Sequence, residues 1–447
     1  MVWAVLPWAA LVGGCASHSE NLQPVRAALD AGQISGAVAL LNRELEVKDA
    51  DQLPAEMGSD RALLVLDRAL LQQSLVRWKG SQRDYQAADK AIDLLDLTSN
   101  LGDTIAEYMF SGSSAKYKAP PYEKLGINTL NMVNYLEQGD LGGGRVEARR
   151  LGVYTDYYRN KLKEPSPMLA LGGFLAGFIL EKAGDVDGAL HYYDDALTVG
   201  SFAALEASAR DALPRGSYKT QRLQKAAGAA PPRPPLEETG EGELLVLCGY
   251  GRVPLKIANR VPIGLALTFA APYLSPGDIA SARSLAAQGA VTWVNYPSLE
   301  ERDPQLEAPR LAIGGQAQIL EEAVDVTTQV RSEWKRVEGG IMAAAITRTI
   351  TRVAVGVGAQ AAGAASGSDE GRIIGLLAGL FAQATLTALD KPDTRSWETL
   401  PAKVAVARIR LPEGRHEIVV SSRGMTRRQP VTIKRGSWAA VSLFAPR

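Results

Sequence analysis

The sequence predicts an α+β protein: an all-α N-terminal array of paired helices, then an α+β domain with an apolar helical hairpin and a C-terminal β-meander. Three observations predict it. From Val25 to Leu197, apolar residues recur at helical spacing in segments broken by Gly-containing turns. Ala226–Gly242, AAGAAPPRPPLEETGEG, interrupts the pattern with a Pro-rich, then acidic linker. Beyond Pro401, four strand-like runs follow, with Gly414, Gly424 and Gly436 between them. At 447 residues the chain has room for two or three domains with their own cores, and its 46% apolar content is that of a folded protein. Lys plus Arg equal Asp plus Glu at 49 each, so no global field draws nucleic acid or anionic lipid. The basic clusters Arg423–Arg428 and Lys434-Arg435 read as a solvated strand face.

The first element is an apolar run, Val2–Val12, closed by Gly13-Gly14-Cys15. It is too short to span a bilayer and has the anatomy of a signal peptide, although no Lys or Arg precedes it. An apolar segment ending in small residues and Cys resembles a bacterial lipoprotein signal. That resemblance implies a signal peptide over 1–14, cleavage before Cys15 and acylation (palmitate-type chains) of Cys15. Ala16 follows, not the Asp that retains such proteins at the inner membrane, so the resemblance points to the periplasmic face of the outer membrane. With Cys15 lipidated, Cys248 in Leu244–Cys248 has no partner in the chain and reads as a small buried hydrophobe.

A short polar tether, 15–23, leads into helices spanning 24–225. Val25–Glu46 is broken by Gly32, Ala62–Leu95 at Lys79-Gly80, Thr129–Leu151 at Gly139-Asp140, and Met168–Leu197 at Gly184-Asp185. In the last, Ala189 lies early in the second helix. Helix, small-residue turn, helix, repeated at irregular spacing, resembles a degenerate tetratricopeptide (TPR) array, in which small residues let paired helices pack closely. Gly142-Gly143-Gly144 weakens the helix start that follows the third turn. Tyr108–Lys124 with Pro120-Pro121-Tyr122-Glu123, Asn128, Gly139-Asp140, Glu147-Ala148-Arg149-Arg150, Asp393–Trp397 and Leu400-Pro401 resembles an uncharacterised family of bacterial lipoproteins with a TPR-like N-terminal half. The match implies architecture and location; the family has no agreed activity.

After the linker at 226–242, the α+β domain occupies 243–447. Glu243–Ile257 reads as two short strands around Gly249-Tyr250-Gly251-Arg252, and Val291–Tyr296 as a strand closed by Pro297. Gln316–Glu338 reads as helix, its Glu321, Glu322, Asp325, Glu333 and Glu338 forming a solvated face with Arg331, Lys335 and Arg336. The hairpin covers 339–390. Two Ala/Gly/Ile/Leu/Val-rich arms flank Ser366–Gly371, the first arm carrying Arg348 and Arg352 and the second, Ile373–Leu389, no charge. Each charge-free run is shorter than the roughly 20 residues a bilayer core requires. A buried helical pair and a membrane- or oligomer-forming hairpin both remain open. In the second, Ile373, Leu376, Leu377, Leu380 and Phe381 make the contact. Lys403–Ile409, His416–Val420, Gln429–Ile433 and Trp438–Phe444 read as the meander.

Residues with catalytic chemistry do not gather. His18, His191 and His416 share no ligand spacing with each other or with a cysteine, which argues against a transition-metal site. No nucleophile elbow or phosphate loop occurs. Asp393 and Arg395 read as a cap on the hairpin's exit, with Trp397 packed beneath. The expectation is therefore a non-enzymatic envelope lipoprotein without metal or cofactor. It scaffolds an envelope protein or peptide through its repeats, with no nucleic-acid partner. The alternative is an oligomeric outer-membrane ring or pore component, assembled through the hairpin.

Overall fold

In the computed structural model, which describes residues 17–58, 60–94, 117–157, 159–160, 166–287, 292–302, 305–364 and 392–447, the N-terminal half is helical and most strands follow it. The fold is α+β. The helices α1 (His18–Asn21), α2 (Gln23–Asp30), α3 (Ile34–Glu44), α4 (Arg61–Ser74) and α5 (Trp78–Ala91) come first. Residues 17–23, read as tether, are thus mostly helical, and Ser17, His18 and Ser19 are buried. After the short strands β1 (Asp93–Leu94) and β2 (Lys118–Ala119), which pair in parallel, come α6 (Pro121–Glu137), α7 (Leu141–Tyr157), α8 (Pro167–Lys182), α9 (Val186–Ala196), α10 (Ala203–Ala212) and α11 (Gln221–Ala227). Consecutive helices from α2 to α5, and again from α6 to α11, touch in chain order, and α5 touches α6.

Glycine serves two purposes in this layer. Gly32, Gly139 and Gly184 have φ of +75°, +68° and +87°, the left-handed turn that reverses the chain between helices at no Cβ cost. The second pair departs from expectation: its break is at Leu75–Arg77, with Val76 at φ +62°, and Gly80 lies inside α5. A Cβ on Gly80 would lie 2.1 Å from the Gln72 Oε1, and Gln72 is held by Asp84, so this glycine makes room rather than a turn. The same is true of Gly143, whose Cβ would lie 2.0 Å from the Tyr135 ring; the triple glycine begins α7 rather than weakening it.

Gly173 is the least forgiving of these contacts. Its Cβ would sit 2.9 Å from the Tyr192 carbonyl oxygen and 3.0 Å from Ala196 Cβ, both fixed in α9. Gly173→Ala is expected to cost about 1–3 kcal/mol in denaturant unfolding, more than the gain from helix propensity, roughly 1 kcal/mol at most. Gly58→Ala, with open space around it, should change stability little.

Next come α12 (Leu236–Thr239), β3 (Glu241–Tyr250) and β4 (Leu255–Pro262), then α13 (Ile263–Ala270), α14 (Pro276–Ala287) and β5 (Trp293–Glu300). β6 (Arg310–Ile313), β7 (Gln316–Ile319), β8 (Glu321–Asp325) and the long α15 (Val326–Ala364) precede β9 (Lys403–Pro412), β10 (Gly414–Ser422), β11 (Met425–Ile433) and β12 (Trp438–Ala445). The helix expected over Gln316–Glu338 therefore begins only at Val326. Gly314 and Gly315, both at positive φ, make a two-residue hairpin loop that pairs Ile313 with Gln316. Asp325 Oδ1 then accepts the Thr328 N–H at 3.0 Å and ends the strand by starting the helix. Glu321 and Glu322 lie on an edge strand, where charge discourages further pairing.

The four C-terminal strands occur where expected but form no meander. One sheet runs β12-β3-β9-β8 and the other β11-β10-β6-β7. The reason lies in β3, EGELLVLCGY. Leu245 and Leu247 join the core shared with the helices, while Leu244, Val246, Cys248 and Tyr250 join the core between the sheets. A strand buried on both faces reads as an unbroken apolar run and needs a neighbour on each edge to satisfy its backbone. β12 supplies one in parallel, with Val441 opposite Val246, and β9 the other in antiparallel. β10 and β11 stay together as a hairpin whose turn, Arg423-Gly424, is left-handed at both residues.

The chain divides into two compact units. Leu22–Lys256, Leu299–Glu338 and Arg395–Arg447 form one, containing α2–α12 and both four-stranded sheets. The Pro-rich segment is not the boundary: Arg233 within it donates to Asp211 of α10 at 2.6 Å. The other unit comprises the described parts of Met1–Asn21, Ile257–Ser298 and Gly339–Thr394. In it β4 pairs with β5, and a Cβ on Gly339 would lie 2.2 Å from the Tyr273 ring. Arg348 donates to the Asn295 carbonyl at 3.4 Å. Leu265, Phe269 and Tyr273 are exposed here. Among the described residues, no helix is long and apolar enough to cross a membrane. Cys15 and the whole second arm, with Ile373, Leu376, Leu377, Leu380 and Phe381, lie outside the described residues.

Candidate functional site

The sequence motifs of α6 and α7 and of residues 395–401 converge in the larger unit and satisfy one another. Tyr117 donates to Glu123 at 2.7 Å, and the other Glu123 oxygen accepts the Trp397 backbone N–H at 3.0 Å. Trp397 Nε1 donates to Thr399 Oγ1 at 3.0 Å, and Thr399 in turn donates to Asp67 of α4 at 2.8 Å. Asn128 donates to Glu147 at 2.9 Å, and Arg150 lies 3.2 Å from the same carboxylate. Burial raises the Glu147 carboxyl above its ordinary value, with Asn128 and Arg150 opposing. Arg395 lies over the Tyr117 ring and 3.7 Å from Asp60. Trp397, Glu123, Asn128 and Glu147 are all buried, so these motifs lock helices to the 395–401 segment instead of meeting a ligand.

A second polar cluster ties the helices to the central sheet. Arg408 of β9 donates to Glu181 of α8 at 2.8 and 3.0 Å, to Glu243 of β3 at 2.7 and 3.0 Å, and to Ser208 of α10 at 2.6 Å. Lys182 pairs with Glu243, and Arg215 lies 2.9 Å from Glu181. Burial would raise the Glu181 carboxyl, but Arg408, Lys182 and Arg215 outweigh it and hold it well below the ordinary 4.5. Glu243 is lowered by the same balance, with burial opposing Arg408 and Lys182. Every charge here has a partner.

A cavity of about 210 Å³ is lined by Asp30, Gly251, Arg252, Arg302, Leu306, Arg423 and Arg447. Gly251, at φ +65°, turns the chain out of β3, and a Cβ there would strike Leu306 at 2.6 Å. Arg252 follows it, 6% exposed, and pairs with Asp30, yet its Nη1 has no hydrogen-bond partner among the described residues. Arg302 Nε and Nη2 likewise have none; Nη2 is 4.0 Å from Glu398, whose carboxylate accepts Arg26 at 2.8 and 3.0 Å. Burial, then the neighbouring Arg302, depresses the Arg252 guanidinium to about 10. Burial lowers Arg302 as well, against the opposing pull of Glu398. An adjoining cavity of about 70 Å³ shares Arg252 and Arg302 and adds Glu301, Asp325, Arg331 and Lys403. No family model and no curated protein matches the chain.

Elsewhere the sequence candidates stay apart. His191 stacks on Tyr218 with ring centres 3.6 Å apart, His416 bonds the Pro412 carbonyl at 2.8 Å, and His18 is buried in α1. No group of three or more His, Cys, Asp or Glu among the described residues is arranged to hold a metal ion. Cys248 is buried, and burial pushes its thiol pKa up. The basic cluster Arg423–Arg428 is not simply a solvated face. Arg427 lies over the Trp78 ring and pairs with Glu137, and Arg423 lines the cavity. In the sequence Arg252 sits only in the Gly249–Arg252 stretch between two expected strands, and Arg302 carries no local signal at all. The cavity's arginines come from four separate stretches of chain.

Proposed function

We propose that the chain is a lipid-anchored cell-envelope scaffold whose helical layer works as a TPR-like protein-interaction module. The observation that carries this reading is the helical layer itself. Helix pairs joined by left-handed glycines stack in chain order, and small residues sit at their closest approaches. That layer is pinned to the sheet by the buried Arg408 cluster, which suits holding a partner more than reshaping around a substrate. On α7, exposed Val146 and Val153 recur seven positions apart beside exposed Arg145 and Arg149, a mixed apolar and basic stripe open to a protein or peptide. The anchor is Cys15, at the outer membrane's periplasmic face.

Photo-crosslinking from Val146 or Val153 in intact cells tests the interaction. The expected result is one discrete adduct in the membrane fraction, larger than the chain by a mass that is not its own. Cys15→Ser should move both protein and adduct out of that fraction. No adduct from either position would defeat the scaffold reading. A second reading, a homo-oligomeric ring or pore component, is favoured by exposed Leu265 and Phe269, one helical turn apart on the short apolar helix α13. An adduct of twice the chain's mass, and a defined oligomer in mild detergent lost in Phe269→Asp, would support that instead.

A further inference from the structure

Among the described residues, the two four-stranded sheets end in β12, β8, β11 and β7. β12 is closed by side chains: Glu137 of α6 accepts the Ser442 N–H, and Arg427 donates to the Ser442 carbonyl at 2.6 Å. β8 carries Glu321, Glu322 and Asp325, and β11 carries Arg427, Arg428 and Pro430. Charge and proline on an edge strand discourage further pairing. β7, Gln316-Ala317-Gln318-Ile319, has neither, and all four residues are exposed. Ile319, at 71%, is the most exposed large apolar side chain among the described residues.

The hairpin geometry fixes which backbone groups of β7 are open. Residues flanking a two-residue loop exchange both backbone bonds, and the pattern then alternates along the strands. Gln316 and Gln318 therefore bond β6, opposite Ile313 and Leu311. The Leu320 N–H continues the series by donating to the Pro309 carbonyl at 2.8 Å. The N–H and C=O of Ala317 and Ile319 point to the other side, away from β6. We infer that a second copy of this chain pairs with this edge, β7 against β7, antiparallel about a two-fold axis. One register uses both outward residues of each copy: Ala317 of each lies opposite Ile319 of the other, and Gln318 faces its own counterpart. That register makes four backbone bonds, sets a small side chain against a large one, and brings two neutral amides together at the axis. Glu321 falls opposite Gly315, so no like charges meet. An isologous contact requires such self-complementarity. The sheet β11-β10-β6-β7 then continues into its symmetry mate as one sheet of eight strands.

The test is sedimentation of the full chain in mild detergent, read from the micromolar into the submillimolar range. The range is chosen because a contact of this size lies below the roughly 1,200–2,000 Å² of a standard interface. A reversible monomer–dimer equilibrium is expected. Gln318→Lys sets two lysines face to face at the axis and should weaken the dimer about fivefold or more. Gln318→Glu should do the same. An equimolar mixture of the two variants should dimerise at least as well as the parent chain, which neither misfolding nor an asymmetric contact would produce. Ala317→Pro removes an N–H that points away from β6, and should abolish the dimer while shifting the thermal midpoint little. A parent chain monomeric throughout the range overturns the proposal and leaves the edge to an extended strand of another protein. A dimer that both Gln318 variants leave unchanged also overturns it, as does an oligomer lost only in Phe269→Asp, which belongs to α13.

Discussion

Arg408→Met is expected to destabilise the protein by about 3–5 kcal/mol at neutral pH, read from denaturant unfolding. The side chain is 1% exposed, and among the described residues it is the one cation that bonds both Glu181 and Glu243 with two nitrogens each. Removing it leaves two buried carboxylates facing each other, with Lys182, Arg215 and, at 3.6 Å from Glu243, Arg233 to oppose them. The pH dependence has a definite sign. In the parent chain both carboxyls are held below 4.5, so their stabilisation is complete above that value and is lost as pH falls through the lowered folded values. In the variant, burial is no longer outweighed, and protonation relieves the strain. The stability gap between the two proteins should therefore narrow as pH drops below 4.5. A gap that stays constant across that range would mean that Arg408 acts by packing on Phe178, which its guanidinium overlies at 5.1 Å, and not by charge.

Trp397→Ala should be of similar size, about 3–5 kcal/mol. The ring is fully buried, meets Tyr85 edge-on with centres 6.0 Å apart, and lies against Gly126, where a Cβ would come within 3.0 Å of it. Its Nε1 bond to Thr399 holds the residue that reaches Asp67, so truncation opens a cavity and loosens a polar contact at once. Trp397→Phe keeps most of the volume and should lose roughly half as much. Thermal and denaturant midpoints measured on both variants check the order. Equal, small losses would remove the convergent motifs from any role in stability.

What could be read in the sequence was what local rules decide. Gly32, Gly139 and Gly184 announced their turns because a left-handed residue is chemically marked. The alternation and glycines after Pro401 announced four strands. Neither signal says which strand pairs with which. β3 was legible as a strand, but its need for two partners came from the helices covering its second face, a long-range fact. The helix expected from Gln316 failed because Glu321, Glu322 and Asp325 suit a solvated helix and a charged edge strand equally well; the Gly314-Gly315 hairpin signal before them was the one that decided. Gly80 and Val76 exchanged roles for a similar reason: space beside Gln72 mattered more than turn chemistry. The arginine cavity had no local signature, since an isolated arginine in a turn looks like any solvated one. The motif residues Glu123, Asn128, Glu147 and Trp397 were legible as a set, but whether they met a ligand or each other required their burial.

The parallel pairing of β12 with β3 has a consequence for how the chain reaches this state. Val441 lies opposite Val246, and Thr399 meets Asp67 across 332 positions of sequence. Until residues 438–445 are available, β3 has one bare edge, and the apolar side of the helical layer has no complete sheet to cover. Contacts of such separation form late, because loop closure must be met before they add stability. Folding of this unit is then a single late event rather than a progressive stacking of helices. A ribosome-bound chain would spend that interval with its most apolar strand exposed, the condition in which chaperone binding and edge-to-edge aggregation compete.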